Sequence, residues 1–293
     1  MNTGTVPTQR KGPGTLAGRV DWKPLPRRKA PRWMPSVLAI RAPIPKAWRW
    51  ALIVSSLALP LLLWIVLTAT AAADPKFLPS PKAVLTTGIH MAQTGELWAD
   101  TWATLQRIVY GFGLAVLVSV PLGIAIGALQ AASSLLEPVI GLVRYLPATA
   151  FGPLLLIWLG TDESPKIALI FLATVFFNTV MTADVVRSVP QATIDVSYTL
   201  GARRNEVLRK VIVPHSMPGM IDAIRVNAAA AWNFVVVAEL FAASTGLGRK
   251  ITQAQRFLQT DKIFACLVVI GVLGVLIDVA LRLLRNAIGR WAV

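Results

Sequence analysis

The sequence is poor in the residues that build disulfide scaffolds, metal sites and nucleotide-binding enzymes. Its single cysteine, Cys266, excludes a disulfide framework within the chain. Its two histidines, His90 and His215, are far apart and lack metal-ligand spacing. No G-x-x-x-x-G-K-[ST] phosphate loop is present, so if ATP drives this protein, another chain must bind it. We therefore expect a non-enzyme with no catalytic residues and no metal site.

The sequence also has few charged residues and many apolar ones. Charged residues make up 15% of the chain, hydrophobic residues make up 55%, and mean hydropathy is +0.62. A soluble domain carries about 25% charge. The apolar residues form six blocks of about the length needed to cross a bilayer, which predicts an all-α integral membrane protein. The predicted spans are Ala51–Ala73, Trp102–Leu129, Leu135–Leu159, Ile167–Val186, Pro218–Ala243 and Ile263–Leu284.

The basic residues are distributed unevenly between the two sides of the membrane. If the N-terminus is cytoplasmic, the inside segments hold 19 Lys and Arg residues and the outside loops hold seven, which predicts that both termini are cytoplasmic. We divide the chain into a basic, Pro-rich cytoplasmic tail at 1–49 and a transmembrane domain at 50–293. The net charge of +15 could indicate nucleic acid. Because the charge is segregated by membrane side, we expect the lipid bilayer and no nucleic acid as partner, with the tail on anionic lipids.

Two targeting signals are alternatives to an uncleaved first span. Arg27-Arg28 resembles a twin-arginine signal, but the apolar stretch begins some twenty residues later, after several prolines. Ala71-Ala72-Ala73 resembles a cleavage site, but a signal peptide has a shorter basic head and a shorter apolar region. We therefore interpret the first apolar block as an uncleaved helix.

The longest loop between spans, residues 187–217, lies on the predicted cytoplasmic side. Residues 192–200 can form one short helix, and Gly201 offers a break or a positive φ angle. Residues 205–212 can form a second short helix, which we expect Pro214 to end. The loop is thus predicted to be a helix–glycine–helix element at the cytoplasmic surface.

This loop resembles the cytoplasmic signature of permeases in binding-protein-dependent ABC importers. That signature reads E-A-A, three residues, G, nine residues, then I-x-L-P. The corresponding residues here are Asp195-Val196-Ser197, Gly201 and Val211-Ile212-Val213-Pro214, at the same spacing. In the family this element docks into a groove on the ATPase. The resemblance therefore implies an ATPase-coupling set made of Asp195, Gly201, Ala202, Arg203, Glu206, Val213 and Pro214.

Other segments, over roughly residues 75–292, resemble the nitrate/sulfonate/taurine/bicarbonate group of these permeases. They are Phe77–Pro81, Thr104–Arg107 with Gly111-Phe112, Arg144–Pro147 with Pro153 and Trp158–Gly160, Ala231-Trp232, Ala238-Glu239, Gly246–Gly248, Gly271–Gly274, Asp278 and Arg290-Trp291. The resemblance implies a type I ABC importer permease in a bacterial plasma (inner) membrane.

The same resemblance implies the assembly and the cargo. We expect two permease copies, most simply a homodimer, with ATP-binding subunits that hold ATP and Mg²⁺ and a substrate-binding protein outside. The cargo would be a small solute, and we expect an anion such as nitrate, a sulfonate, taurine or bicarbonate. An ATP-independent channel or secondary carrier is the alternative, although it does not explain the helix–glycine–helix loop.

Charged side chains within apolar spans indicate a structural or functional role, because inserting one at the centre of a membrane helix costs about 2.5–3.5 kcal/mol of free energy. Our hypothesis is that some of them line the pathway and that Arg144 or Arg225 attracts an anion. The candidate substrate-path residues are Arg144, Asn178, Thr182, Arg225, Asn233 and Glu239.

Structural roles remain open for the same side chains. Arg225 could pair with Asp184 or Asp222 or extend to the inner surface. Glu239 could hold two helices together or touch the binding protein, and Asp278 could pair with Arg282, one helical turn away. Gly123 and Gly127 are spaced for close helix packing.

Overall fold

A computed structural model of the chain describes residues 44–70, 74–241 and 243–289, and all regular elements in these ranges are helical. Most of the predicted tail, residues 1–43, lies outside the described residues. The helices are α1 (Lys46–Ala69), α2 (Pro81–Gln93), α3 (Glu96–Ala128), α4 (Gln130–Val143), α5 (Gly152–Leu159), α6 (Ser164–Arg187), α7 (Gln191–Thr199), α8 (Arg204–Glu206), α9 (Val213–Leu240), α10 (Leu247–Arg256) and α11 (Thr260–Ile288). A 3-10 turn, Ala148–Phe151, precedes α5, and a π-helical segment, Val207–Ile212, joins α8 to α9.

The described helices provide up to six membrane crossings, as predicted. Five are long and apolar enough to span a bilayer, and the bent pair formed by α4 and α5 adds a sixth. Six crossings return the chain to the side on which it starts, in agreement with two cytoplasmic ends. The helix α1 begins at Lys46, within the segment predicted to be tail. The short helices α2 and α10 at the outer side were not predicted.

The third span differs from its prediction. A continuous helix was expected over 135–159, but the chain bends by 78° between α4 and the turn that leads into α5. The break falls at Pro147, whose ring cannot continue the helix and restricts Leu146 before it. Tyr145 and Leu146 close the end of α4 with hydrogen bonds to Leu142 and Val143. The third crossing is therefore a broken helix.

The chain divides into two compact units, and the boundary falls within α1 after Leu61. The described part of the first unit, residues 44–61, consists largely of the first part of α1, and nearly all of its side chains are exposed. An apolar helix that is exposed on all sides is suited to lipid. In the second unit, the largest core joins α3, α5, α6 and α9 around Trp232 and Val235.

The helices α3 and α6 pack tightly against each other in the second unit. A Cβ added at Gly123 would lie 2.5 Å from the Cβ of Thr182, and one at Gly127 would lie 2.6 Å from the Cβ of Val186. The predicted close packing at these two glycines is thus confirmed. They belong to a row of small residues at every fourth position of α3, which is Gly111, Ala115, Ser119, Gly123 and Gly127.

The prediction that Pro214 ends a short helix is wrong, because the chain is helical without interruption from Arg204 to Leu240. A proline inside an α-helix loses one hydrogen bond, and its ring clashes with the carbonyl four residues before it. Here the wider π-helical turns of Val207–Ile212 end two residues before Pro214, which is the second residue of α9. The helix therefore continues through the proline.

Candidate functional site

The predicted first helix and the glycine after it are present as α7 and Gly201, whereas the predicted second helix continues into α9. Gly201 follows α7 with φ +84°, a left-handed conformation that favours glycine. Its N–H donates to the carbonyl of Tyr198 at 2.9 Å, and the N–H of Ala202 donates to the carbonyl of Ser197 at 3.1 Å. These bonds satisfy the last carbonyls of α7 and turn the chain sharply toward α8.

Charged side chains fix the second half of this element. The N–H of Arg203 donates to Oε2 of Glu206 at 3.0 Å, and Lys210 Nζ donates to Oε1 of Glu206 at 3.1 Å. Asp195 on α7 is exposed and accepts a hydrogen bond from Gln191 at 2.9 Å. Five of the seven predicted coupling residues therefore lie around one turn at the protein surface. The other two, Val213 and Pro214, are half-buried at the start of α9.

The side chains of α7 and of Leu200, which follows it, differ in burial. Ile194 packs inward, on a cluster that includes Val186 at the end of α6 and Val207 in the π segment. Three apolar side chains, Val196, Tyr198 and Leu200, are exposed, and Leu200 is 82% exposed. The sequence analysis did not single them out, and helical spacing does not group them, because Tyr198 lies four residues after Ile194 and so on the same side of α7.

The break between α4 and α5 opens a cavity of about 390 Å³. Its walls come from the broken helix, from the middle of α6 at Leu172 and Phe176, and from α9 at Phe234. Because α6 runs from Ser164 to Arg187, the cavity lies about halfway along this crossing. Arg144, a predicted substrate-path residue, is one of the lining residues.

Arg144 is the one charged side chain in the lining, and it is half-buried. Its Nη2 donates to the hydroxyl of Tyr145 at 3.2 Å, and its Cζ lies 5.0 Å from the centre of that ring. Its Nε is buried and has no hydrogen-bond partner in the described residues. A guanidinium group in this position has donors available for an anion.

Asn178 and Thr182 lie in the seam between α3, α6 and α9. Asn178 Nδ2 donates to Oγ of Ser119 at 2.5 Å, and its Oδ1 accepts from Asn227 at 3.3 Å. Thr182 is fully buried and packs against Gly123. In the single chain these side chains therefore link helices and do not border the Arg144 cavity.

Arg225 is on α9, and its side chain pairs with Asp278 on α11. Its Nε is 2.9 Å from Asp278, and its Nη1 is 3.5 Å from Asp222. Asp278 also pairs with Arg282 at 2.9 Å, which confirms that predicted pair, whereas Asp184 pairs with Arg187. Asn233, on α9, is exposed, and its Nδ2 bonds only the carbonyl of Ala229 among the described residues.

Glu239 forms the centre of a buried clamp near the outer end of α9. Its side chain is 1% exposed. It accepts hydrogen bonds from Thr104 Oγ1 at 2.7 Å, from Arg107 Nη1 at 2.8 Å and from the N–H of Gly248 at 2.7 Å. The N–H of Gly246 donates to Asp100 at 2.8 Å. The clamp therefore joins α3, α9 and the start of α10.

Arg107 extends the clamp to the loop before α6. This side chain is 2% exposed, and its Nε and Nη2 bind the two oxygens of Glu163 at 2.5 and 2.8 Å. The hydrogen bond from Arg107 is the main cause that lowers the pKa of Glu163 from its usual 4.5 to about 2, with Lys166 also contributing. The sequence analysis noted Arg107 only within a family-like segment and did not predict its partners.

Comparison with known proteins places this architecture among transport proteins. Residues 119–290 match the model of a family described as "Binding-protein-dependent transport system inner membrane component". The taurine transport system permease protein TauC of Escherichia coli is 36% identical over 256 residues, which cover 83% of this chain and 93% of TauC. The putative aliphatic sulfonates transport permease protein SsuC of Bacillus subtilis is 31% identical over 229 residues, covering 78% of this chain and 83% of SsuC.

A solved structure has the same fold. A chain of the MetNI methionine ABC transporter, solved in an inward-facing conformation, superposes with a TM-score of 0.61 at 18% identity. The match covers 67% of this chain and 98% of that chain. At this identity the likeness concerns the fold, which is that of a type I ABC importer permease.

Proposed function

Because the chain belongs to the family of binding-protein-dependent transport system inner membrane components, we propose that it forms the translocation pathway for organic sulfonates, the class that includes taurine and alkanesulfonates. It is a multi-pass permease subunit of an ABC importer in the inner membrane, and it works with ATPase subunits and a binding protein. The ATP-independent channel or carrier is thereby set aside. The cargo proposal is supported by the taurine and aliphatic sulfonate permeases among its relatives.

The observation that carries the coupling part of the proposal is the exposure of three apolar side chains before Gly201. Val196, Tyr198 and Leu200 project from the cytoplasmic surface, where exposed apolar area typically marks a contact with another protein. We assign these side chains, together with the predicted coupling residues around Gly201, to the groove of the ATPase. ATP and Mg²⁺ belong to that subunit in this proposal, since the permease sequence has no phosphate loop.

Copurification with the ATPase tests this assignment. Leu200→Asp places a charge where the groove would bury an apolar side chain, which costs about tenfold or more in affinity. We expect much less ATPase to copurify with this variant. Asn286→Asp adds the same charge near the end of α11, also at an exposed position, and is the matched control. Equal loss of the ATPase from both variants, or from neither, would contradict the assignment.

We further propose that two copies of this chain form the pathway. The broken helix exposes large apolar side chains on both sides of the cavity, including Tyr145 on one side and Ile157 and Trp158 on the other. A second copy would cover them. Ile157→Cys, in a chain that carries Cys266→Ala, should form a cross-linked dimer in native membranes. A complex that contains one copy of this chain beside a different permease would refute the homodimer.

A further inference from the structure

Arg144 lacks the carboxylate partner that five arginines of the described membrane helices have. Arg107, Arg187, Arg225, Arg282 and Arg285 each lie within 4.0 Å of a carboxylate. Three other arginines without an ion pair, Arg49, Arg204 and Arg209, are exposed near the start of their helices, whereas Arg144 is half-buried and its Nε has no partner in the described ranges. A charged side chain within a membrane normally pairs or serves transport. Arg144 is therefore a candidate for contact with an anion from outside the chain.

The cavity has room for an anion that carries an organic group. Its volume of about 390 Å³ exceeds that of propane-1-sulfonate as well as that of nitrate or bicarbonate, so volume alone does not select among these anions.

The walls of the cavity define the chemistry of that group. Four phenylalanines and Leu172 line it, and Thr149 adds a hydroxyl beside the arginine; the phenylalanines are Phe151, Phe176, Phe177 and Phe234. No aspartate or glutamate is among the described residues that line it. An ammonium group would therefore lose its water without gaining an anionic partner, whereas an alkyl chain would gain apolar contact.

We propose that this cavity binds alkanesulfonates, with the guanidinium of Arg144 on the sulfonate oxygens and the phenylalanines around the alkyl chain. The inference rests on the proposed function and narrows its substrate class. A planar guanidinium can donate two parallel hydrogen bonds to an oxyanion. The site prefers an alkanesulfonate to taurine, whose ammonium group it leaves unpaired.

Propane-1-sulfonate and taurine form a matched ligand pair, because a methyl group in one replaces the ammonium group in the other. Calorimetric titration would use the permease with its ATPase in lipid nanodiscs, without the binding protein. We expect propane-1-sulfonate to bind about tenfold or more tightly than taurine. It should also bind about tenfold more tightly than methanesulfonate, since each buried methylene contributes about fourfold.

Variants separate the two parts of the site. Arg144→Gln should weaken propane-1-sulfonate binding about tenfold or more, and Arg144→Lys should restore part of it. Phe177→Ala should reduce the gain from a longer alkyl chain and leave methanesulfonate binding unchanged. Arg282→Gln, which removes an exposed arginine far along α11, is the control and should bind both ligands as the wild type does.

Several results would overturn the proposal. They are equal binding of taurine and propane-1-sulfonate, unchanged binding by Arg144→Gln, or no saturable binding by the wild-type complex. If Arg144→Gln instead prevents two copies from associating, Arg144 pairs with the second copy and the ligand assignment is wrong. Failure here leaves ATP-dependent sulfonate uptake intact. A wild-type chain that purifies without an ATPase would refute the proposed function itself.

Discussion

The outer clamp allows a comparison of two carboxylates that bind the same arginine at very different burial. Glu239 is 1% exposed, whereas the side chain of Glu163 is 52% exposed, and both accept hydrogen bonds from Arg107. Burial decides what such a pair contributes, because an exposed pair is screened by water and a buried charge without its partner is not. We predict that Glu239→Ala destabilises the fold much more than Glu163→Ala.

The magnitudes follow from the contacts of each carboxylate. Removing Glu239 deprives three buried donors, on Thr104, Arg107 and Gly248, of their acceptor. Loss of one partner from a buried pair costs about 3–5 kcal/mol. Glu163 binds the guanidinium with both oxygens, but its exposure limits its contribution to about 1 kcal/mol.

Equilibrium unfolding in mixed detergent micelles, followed by tryptophan fluorescence, would measure both free energies. Glu96→Ala is a suitable control, since Glu96 also lies at the outer side and pairs with Lys250 at 2.5 Å, with a side-chain exposure of 53%. It should resemble Glu163→Ala. A cost for Glu163→Ala that equals or exceeds that of Glu239→Ala would refute the reasoning from burial.

Three further predictions concern single contacts. The pKa of Glu163 is lowered from 4.5 to about 2, so its contribution to stability is complete above about pH 4.5 and is lost as pH falls toward 2; the stability difference between wild type and Glu163→Ala should vanish across that window. Gly123→Ala should destabilise by about 1–3 kcal/mol in the same unfolding assay, while Gly113→Ala, with no atom within 4 Å of the new methyl, should cost nothing. Ser119→Ala should cost about 0.6–1.7 kcal/mol through loss of its bond from Asn178, and a cost that persists in an Asn178→Ala background would show that this bond is not the cause.

The crossings could be predicted because the bilayer imposes a local requirement. A helix must carry about 20 apolar residues to span it, and such a run is visible in a single segment. The bend at Pro147 and the uninterrupted helix through Pro214 depend on more than the proline itself. In one case the chain leaves the helix, and in the other the π-helical turns of Val207–Ile212 accommodate the ring. Composition does not distinguish these outcomes.

The polar contacts were harder to predict from the sequence, because most of them join distant parts of the chain. Arg107 meets Glu163 and Glu239 at separations of 56 and 132 residues. Pairs one helical turn apart, such as Asp278 with Arg282, could be predicted from spacing alone. The shape of the coupling turn could be predicted from Gly201, whereas the exposure of Val196, Tyr198 and Leu200 depends on tertiary packing that helical spacing does not reveal.

The unbroken helix from Arg204 to Leu240 connects the two sides of the membrane directly. Its 37 residues extend about 55 Å, with the coupling turn at one end and the Glu239 clamp at the other. A movement of the coupling turn therefore reaches the clamp through a continuous helix and not through a loop. The π-helical segment Val207–Ile212 is the irregular part of this helix, and π-helical turns are frequent at functional sites. We expect the stiffness of these six residues to affect how far a movement at the coupling turn reaches the Glu239 clamp.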